Sequence, residues 1–75
     1  MNEAEAMGKR IIAARKALGL SQQQLGGHIG VTYQQIQKYE AGNDYIPVPR
    51  LKKAAQFLGV SVEQLVNGET PPPRS

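Results

Sequence analysis

Two hexads of one kind begin eleven residues apart: Leu20-Ser21-Gln22-Gln23-Gln24-Leu25 and Val31-Thr32-Tyr33-Gln34-Gln35-Ile36. A third, Val60-Ser61-Val62-Glu63-Gln64-Leu65, follows later. Each reads apolar, Ser or Thr, two free positions, Gln, apolar, and each is a helix start. The hydroxyl accepts a free N–H of the first turn, the Gln reaches back to the N–H of the cap residue, and the apolar pair clamps the entry angle. With caps at Ser21 and Thr32, the helix opened at Ser21 must end after about two turns, leaving room for one tight turn before the next. That is helix-turn-helix spacing.

The remaining chain fits around this core. Met7, Ile11, Ala14 and Leu18 recur at helical spacing and Gly19 supplies the stop, so helix one spans about residues 5–18, with Ile12 off the stripe and on the surface. Helix two runs over about 22–28, with Leu25 and Ile29 inward; helix three runs over about 33–41, with Ile36 and Tyr39 inward and Gly42 as its stop. Gly30 permits the tight turn between them. Gly26 and Gly27 each weaken helix two by about 1 kcal/mol relative to Ala. Close approach of helix three explains Gly26; nothing in the sequence explains Gly27. The stretch 43–49 reads as loop, because Pro47 and Pro49 push their preceding residues toward extended backbone, with Pro49 near the next helix start. Leu51, Ala54, Ala55 and Leu58 mark helix four, and Val62, Leu65 and Val66 mark a short helix five ending near Gly68. Residues 69–75, with Pro71, Pro72 and Pro73, read as a disordered tail or linker. The organisation is therefore one domain over 1–68, with its helix-turn-helix core at 21–42, and no strand pattern.

Seventy-five residues build one small core with no room for a large enzyme cleft. There is no cysteine, hence neither a disulfide framework nor a thiolate metal site. The single His28 has no acidic or thiol neighbour in sequence, so it reads as a surface residue and not as a metal ligand. No apolar run approaches a membrane span, and the N-terminus lacks the basic and apolar segments of a targeting signal, which points to a cytoplasmic location. No nucleophile-base set, carboxylate pair or phosphate-binding glycine loop is present, and the chain reads as non-enzymatic, without cofactor. Charge is more informative. From Lys9 to Lys53 eight Lys and Arg face only Glu40 and Asp44, a balance of +6. A basic middle that coincides with helix-turn-helix spacing points to a polyanionic partner.

The chain resembles the lambda-repressor-like, Cro/xenobiotic-response-element family of helix-turn-helix regulators over about residues 7–68. The matching text is Leu18-Gly-Leu-Ser-Gln22, Leu25, Gly30, Thr32-Tyr-Gln-Gln-Ile-Gln-Lys-Tyr-Glu40 followed by Gly42, and Leu58-Gly-Val-Ser61. It departs from the family at Gly26, Gly27 and the Pro47 to Pro49 loop. The resemblance implies an all-α, compact five-helix DNA-binding domain that lays helix three in the major groove. It implies a homodimer on a near-palindromic double-stranded DNA operator, and a bacterial or phage transcription regulator, most simply a repressor, in the cytoplasm at the nucleoid. An antitoxin or phage-type switch component is chemically the same reading. A protein-interaction adaptor that touches no nucleic acid is the alternative from another class.

With Ile36 and Tyr39 inward, Tyr33, Gln34, Gln37 and Lys38 fall on the outward face of helix three. Gln34 suits a bidentate pair with adenine, Lys38 suits guanine O6 and N7, and Tyr33 suits a thymine methyl or a phosphate, with Gln37 a further base contact. Gln35 is expected to be occupied by its capping box. Gln22, at the free N–H groups of helix two, is a phosphate contact. The resemblance adds Thr32, Asn43, Tyr45 and Arg50 as phosphate contacts, and pairs Arg15 with Glu40 in a partly buried, structural ion pair. Lys9, Arg10, Lys52 and Lys53 read as solvated charges that contribute only to the field.

Overall fold

The computed structural model describes residues 2–68; the expected tail at 69–75 lies outside the described residues. The chain forms α1 (Glu3–Ala17), α2 (Gln22–Ile29), α3 (Tyr33–Ala41), α4 (Val48–Leu58) and α5 (Val62–Asn67), with no strand among the described residues. Local chemistry sets most boundaries. Asn2 accepts from Glu5 N–H at the start of α1. Complete capping boxes open α2 at Ser21 with Gln24 and α5 at Ser61 with Gln64. Between α2 and α3 the chain reverses at Gly30, whose φ of 81° is a left-handed conformation that side chains disfavour.

α3 lies between α1 and α2, α2 also packs on α4, and α5 closes the bundle against α1 and α4. Met7, Ile11, Leu25, Ile29, Ile36, Tyr39, Leu51, Ala54, Ala55, Leu58 and Leu65 make one core. A helix of eight residues does not persist alone in water. α2 holds because Leu25 and Ile29, each 1% exposed, contribute about 2 kcal/mol apiece by burial, in addition to its capping box.

Four expectations are corrected. α4 begins at Val48, with Pro47 as its cap residue and Pro49 inside the first turn, because that turn leaves its N–H groups unpaired in any helix and a proline there forfeits nothing. Ile46, in the stretch expected to be plain loop, is buried in the core. Leu18 is 54% exposed and Val66 45% exposed, since α1 ends at Ala17 and α5 turns only Leu65 fully inward. At Thr32 the hydroxyl accepts from Gln35 N–H at 3.2 Å, but the Gln35 side chain donates to Asp44 Oδ2 at 3.0 Å instead of closing a capping box.

Candidate nucleic-acid interface

The site is built on α3 and on the residues that hold it. Its inward face is fixed by Ile36, Tyr39 and Glu40, all buried. Glu40 is the junction. Its Oε2 accepts from Arg15 Nε at 2.7 Å, while its Oε1 accepts from Arg15 Nη2 at 3.0 Å and from Gln22 Nε2 at 2.9 Å. Arg15 Nη1 in turn donates to the Leu20 carbonyl at 2.8 Å. One carboxylate near the end of α3 thus collects α1, the start of α2 and, through Arg15, the segment before it. The two side chains of the ion pair are 10% and 4% exposed, and bidentate geometry, with every buried side-chain polar atom among the described residues partnered, is what makes burial of the two charges tolerable.

Backbone approach is equally constrained. A Cβ on Gly8 of α1 would sit 2.6 Å from the Tyr39 carbonyl oxygen and against that of Glu40, so α1 crosses α3 at bare backbone. A Cβ on Gly26 would meet the Val31 carbonyl at 2.6 Å and Thr32 at 3.3 Å, so the glycine makes room for the turn and the cap of α3. Gly27 has open space around it, in line with the absence of any sequence reason for it.

The outward face differs in kind. Tyr33, Gln34, Gln37 and Lys38 are all exposed, and none of their side chains hydrogen-bonds to a described residue. Beside them, at the start of α2, Ser21 Oγ caps Gln24 N–H and the Ser21 carbonyl accepts from Leu25. That leaves the N–H groups of Gln22 and Gln23, the first two of the helix, without an acceptor among the described residues.

The other sequence candidates are distributed unevenly. Gln22 is half-buried and uses one amide hydrogen on Glu40. Thr32 is exposed, its hydroxyl engaged in the α3 cap. Asn43 is exposed just past α3, its N–H bonded to the Lys38 carbonyl. Tyr45 is 62% exposed and borders a shallow hollow with Glu3, Met7, Leu51, Val66 and Asn67. Arg50 Nη1 donates to the Ile29 and Gly30 carbonyls at 2.6 and 3.0 Å, so its guanidinium caps the C-terminus of α2. Arg10, expected as a free surface charge, does the same at α5, donating to the Leu65 and Val66 carbonyls at 3.2 and 2.7 Å. His28 is exposed, its ring set edge-on to Phe57 at 61°. Sequence reasoning missed Gly8, the Gln22–Glu40 bond, the Gln35–Asp44 bond and the two arginine caps. Each joins residues distant in sequence, and no local pattern announces them.

A family model described as helix-turn-helix matches residues 11–65. The chain belongs to the helix-turn-helix family. An uncharacterized HTH-type transcriptional regulator of Sinorhizobium medicae is 46% identical over 56 residues, which cover 75% of this chain and 40% of that protein. An SPbeta prophage-derived regulator of the same type from Bacillus subtilis is 36% identical over 61 residues, covering 81% and 56%. The chain therefore spans about half the length of these helix-turn-helix relatives or less. Among solved structures, the P22 c2 repressor in complex with a synthetic operator superposes with a TM-score of 0.80 at 32% identity, covering 84% of this chain and 96% of that one. The biofilm master regulator SinR in complex with DNA gives 0.74 at 31% identity, covering 81% and 98%. The five-helix architecture is thus that of the lambda-like phage repressors. Among the described residues no helix is long and apolar enough to cross a membrane.

Proposed function

We propose that this protein is a sequence-specific double-stranded DNA-binding transcription regulator of the repressor type, reading the major groove with α3 as a homodimer on a near-palindromic operator. The observation that carries this reading is the outward face of α3. Tyr33, Gln34, Gln37 and Lys38 are exposed with side chains that hydrogen-bond to none of the described residues, while the opposite face of the same helix is fixed by a buried ion pair. Donors and acceptors on a rigid helix are what base edges require. The two superposed structures above are both DNA complexes, which supports the same assignment.

In this reading Gln34 pairs with adenine, Lys38 donates to guanine, and Tyr33 and Gln37 supply further base contacts. Gln22 with the free N–H groups of α2, Thr32, Asn43, Tyr45 and Arg50 contact phosphates and fix the register. Arg50 does so with what its α2 cap leaves free. Two copies place their α3 helices about one DNA turn apart, roughly 34 Å, which demands a two-fold operator. The protein acts without catalysis or cofactor, in a bacterial cytoplasm. An adaptor role is disfavoured because Tyr33 is the one large hydrophobic residue exposed on α3, too little apolar surface for a protein-docking helix.

Selection of genomic fragments with the purified chain, followed by footprinting, tests this. A protected two-fold sequence of two half-sites supports the reading; capture of fragments with no shared sequence and no footprint overturns it.

A further inference from the structure

We infer, on the strength of the DNA-binding reading proposed above, that Glu40 is a positioning residue for DNA: its buried carboxylate sets which way the Gln22 amide faces, and so makes that amide a phosphate donor. The amide of Gln22 has one acceptor edge and one donor edge, and only the donor edge can lie against a carboxylate. Gln22 Nε2 stands 2.9 Å from Glu40 Oε1, the same oxygen that takes Arg15 Nη2 at 3.0 Å. Turning the amide over would set Gln22 Oε1 against Glu40 Oε1, two acceptors without a proton between them. The orientation is therefore dictated chemically. One Nε2 hydrogen is spent on Glu40, and in the proposed complex the other joins the unpaired N–H groups of Gln22 and Gln23 at the start of α2. Three donors then share one end of the helix, and the positive end of its dipole lies behind them.

Glu40 stands on α3, seven residues beyond Tyr33, so the phosphate-facing amide on α2 takes its orientation from the reading helix itself. A shift of α3 relative to α2 would carry the carboxylate away from Gln22 and release the amide. Backbone anchoring and base reading are thereby held in one register. The carboxylate can do this because Arg15 neutralises it through Nε and Nη2 and holds it in place.

Charge removal at Glu40 separates this role from simple stability. In Glu40→Gln the new side chain must offer its single oxygen to Arg15, which turns its NH2 toward Gln22. The Gln22 amide then flips and presents Oε1 to the phosphate. An Arg15→Met/Glu40→Met variant instead replaces the ion pair with apolar chains of similar length, a change that buried pairs often tolerate, and removes the anchor altogether.

The test uses the full 75-residue chain and a selected operator duplex in which single phosphates are neutralised as methylphosphonates. In the native protein, neutralising the phosphate at Gln22 is expected to weaken binding about tenfold, the scale of a hydrogen bond to a charged group. That penalty should shrink in Gln22→Ala to the part owed to the two backbone N–H groups, shrink likewise in Arg15→Met/Glu40→Met, and fall furthest in Glu40→Gln, where an acceptor faces the phosphate, while base preference at the Lys38 contact persists. A methylphosphonate profile in the Glu40 variants identical to the native one would overturn the inference. Side-chain amide NMR of the free protein gives an arm independent of DNA. One shifted, slowly exchanging Gln22 Nε2 proton in the native protein, lost in Glu40→Gln, supports the positioning; a freely averaging native Gln22 amide refutes it. Failure of the native chain to bind any duplex would refute the DNA reading instead, with the amide spectrum still reporting the orientation.

Discussion

Glu40 and Lys38 stand two positions apart on α3, one buried and one exposed, and under the proposed function they serve opposite ends of the same task. Glu40 is buried with three charge-assisted donor contacts; its removal leaves the Arg15 guanidinium buried against the Leu20 carbonyl alone. Glu40→Ala should therefore lower stability by about 3–5 kcal/mol, read from the midpoint of a urea or thermal unfolding curve, and an unchanged midpoint would show the pair to be dispensable. Lys38→Ala has no such partner to strand. It should leave the unfolding curve in place and reduce discrimination at one base pair by about 1–3 kcal/mol, measured by competition among single-base operator variants. Gln22→Ala should weaken every duplex alike. At this scale the sequence was informative wherever a role depends on helical phase alone: Ile36 and Tyr39 inward leave Tyr33, Gln34, Gln37 and Lys38 outward. It was silent on Gln22 meeting Glu40 and on Gln35 meeting Asp44. Both bonds depend on how two segments dock, and a capping-box pattern at Thr32 could not compete with the carboxylate that docking brings to Gln35.

The helices separate two kinds of glycine that look identical in sequence. Gly26 and Gly27 both sit inside α2, but a methyl on the first would strike the Val31 and Thr32 backbone, whereas one on the second would meet nothing within 4 Å. Gly26→Ala should thus destabilise by about 1–3 kcal/mol through overpacking, and Gly27→Ala should stabilise by up to about 1 kcal/mol through helix propensity. Equilibrium denaturation of the two variants side by side checks both signs. Element boundaries were legible for α2, α3 and α5, since Ser21, Thr32 and Ser61 act on the N–H groups just ahead of them and Gly30, Gly42 and Gly68 follow the last turns. The start of α4 was not, because the same prolines that exclude a helix interior are compatible with a first turn. Nor were the arginine caps at the ends of α2 and α5, where Arg50 and Arg10 arrive from other helices.

Taken whole, the domain couples a basic middle to a bundle whose short helices owe their existence to one shared core. Under the proposed function, operator affinity should fall linearly with salt on logarithmic axes, by about a thousandfold between 50 and 200 mM if some six phosphates are contacted; a flat salt response in filter binding would contradict phosphate anchoring. The all-α class and the helix-turn-helix core were readable beforehand because they follow from cap spacing, whereas the close crossing of α1 over α3 at Gly8 became visible only with the helices assembled. The division of α3 into a fixed inner face and an uncommitted outer one has a practical corollary. Since Tyr33, Gln34, Gln37 and Lys38 are exposed and lie outside the core, under the proposed function those four letters can be rewritten together without asking the scaffold to refold, and the protein would become a chassis whose address is interchangeable.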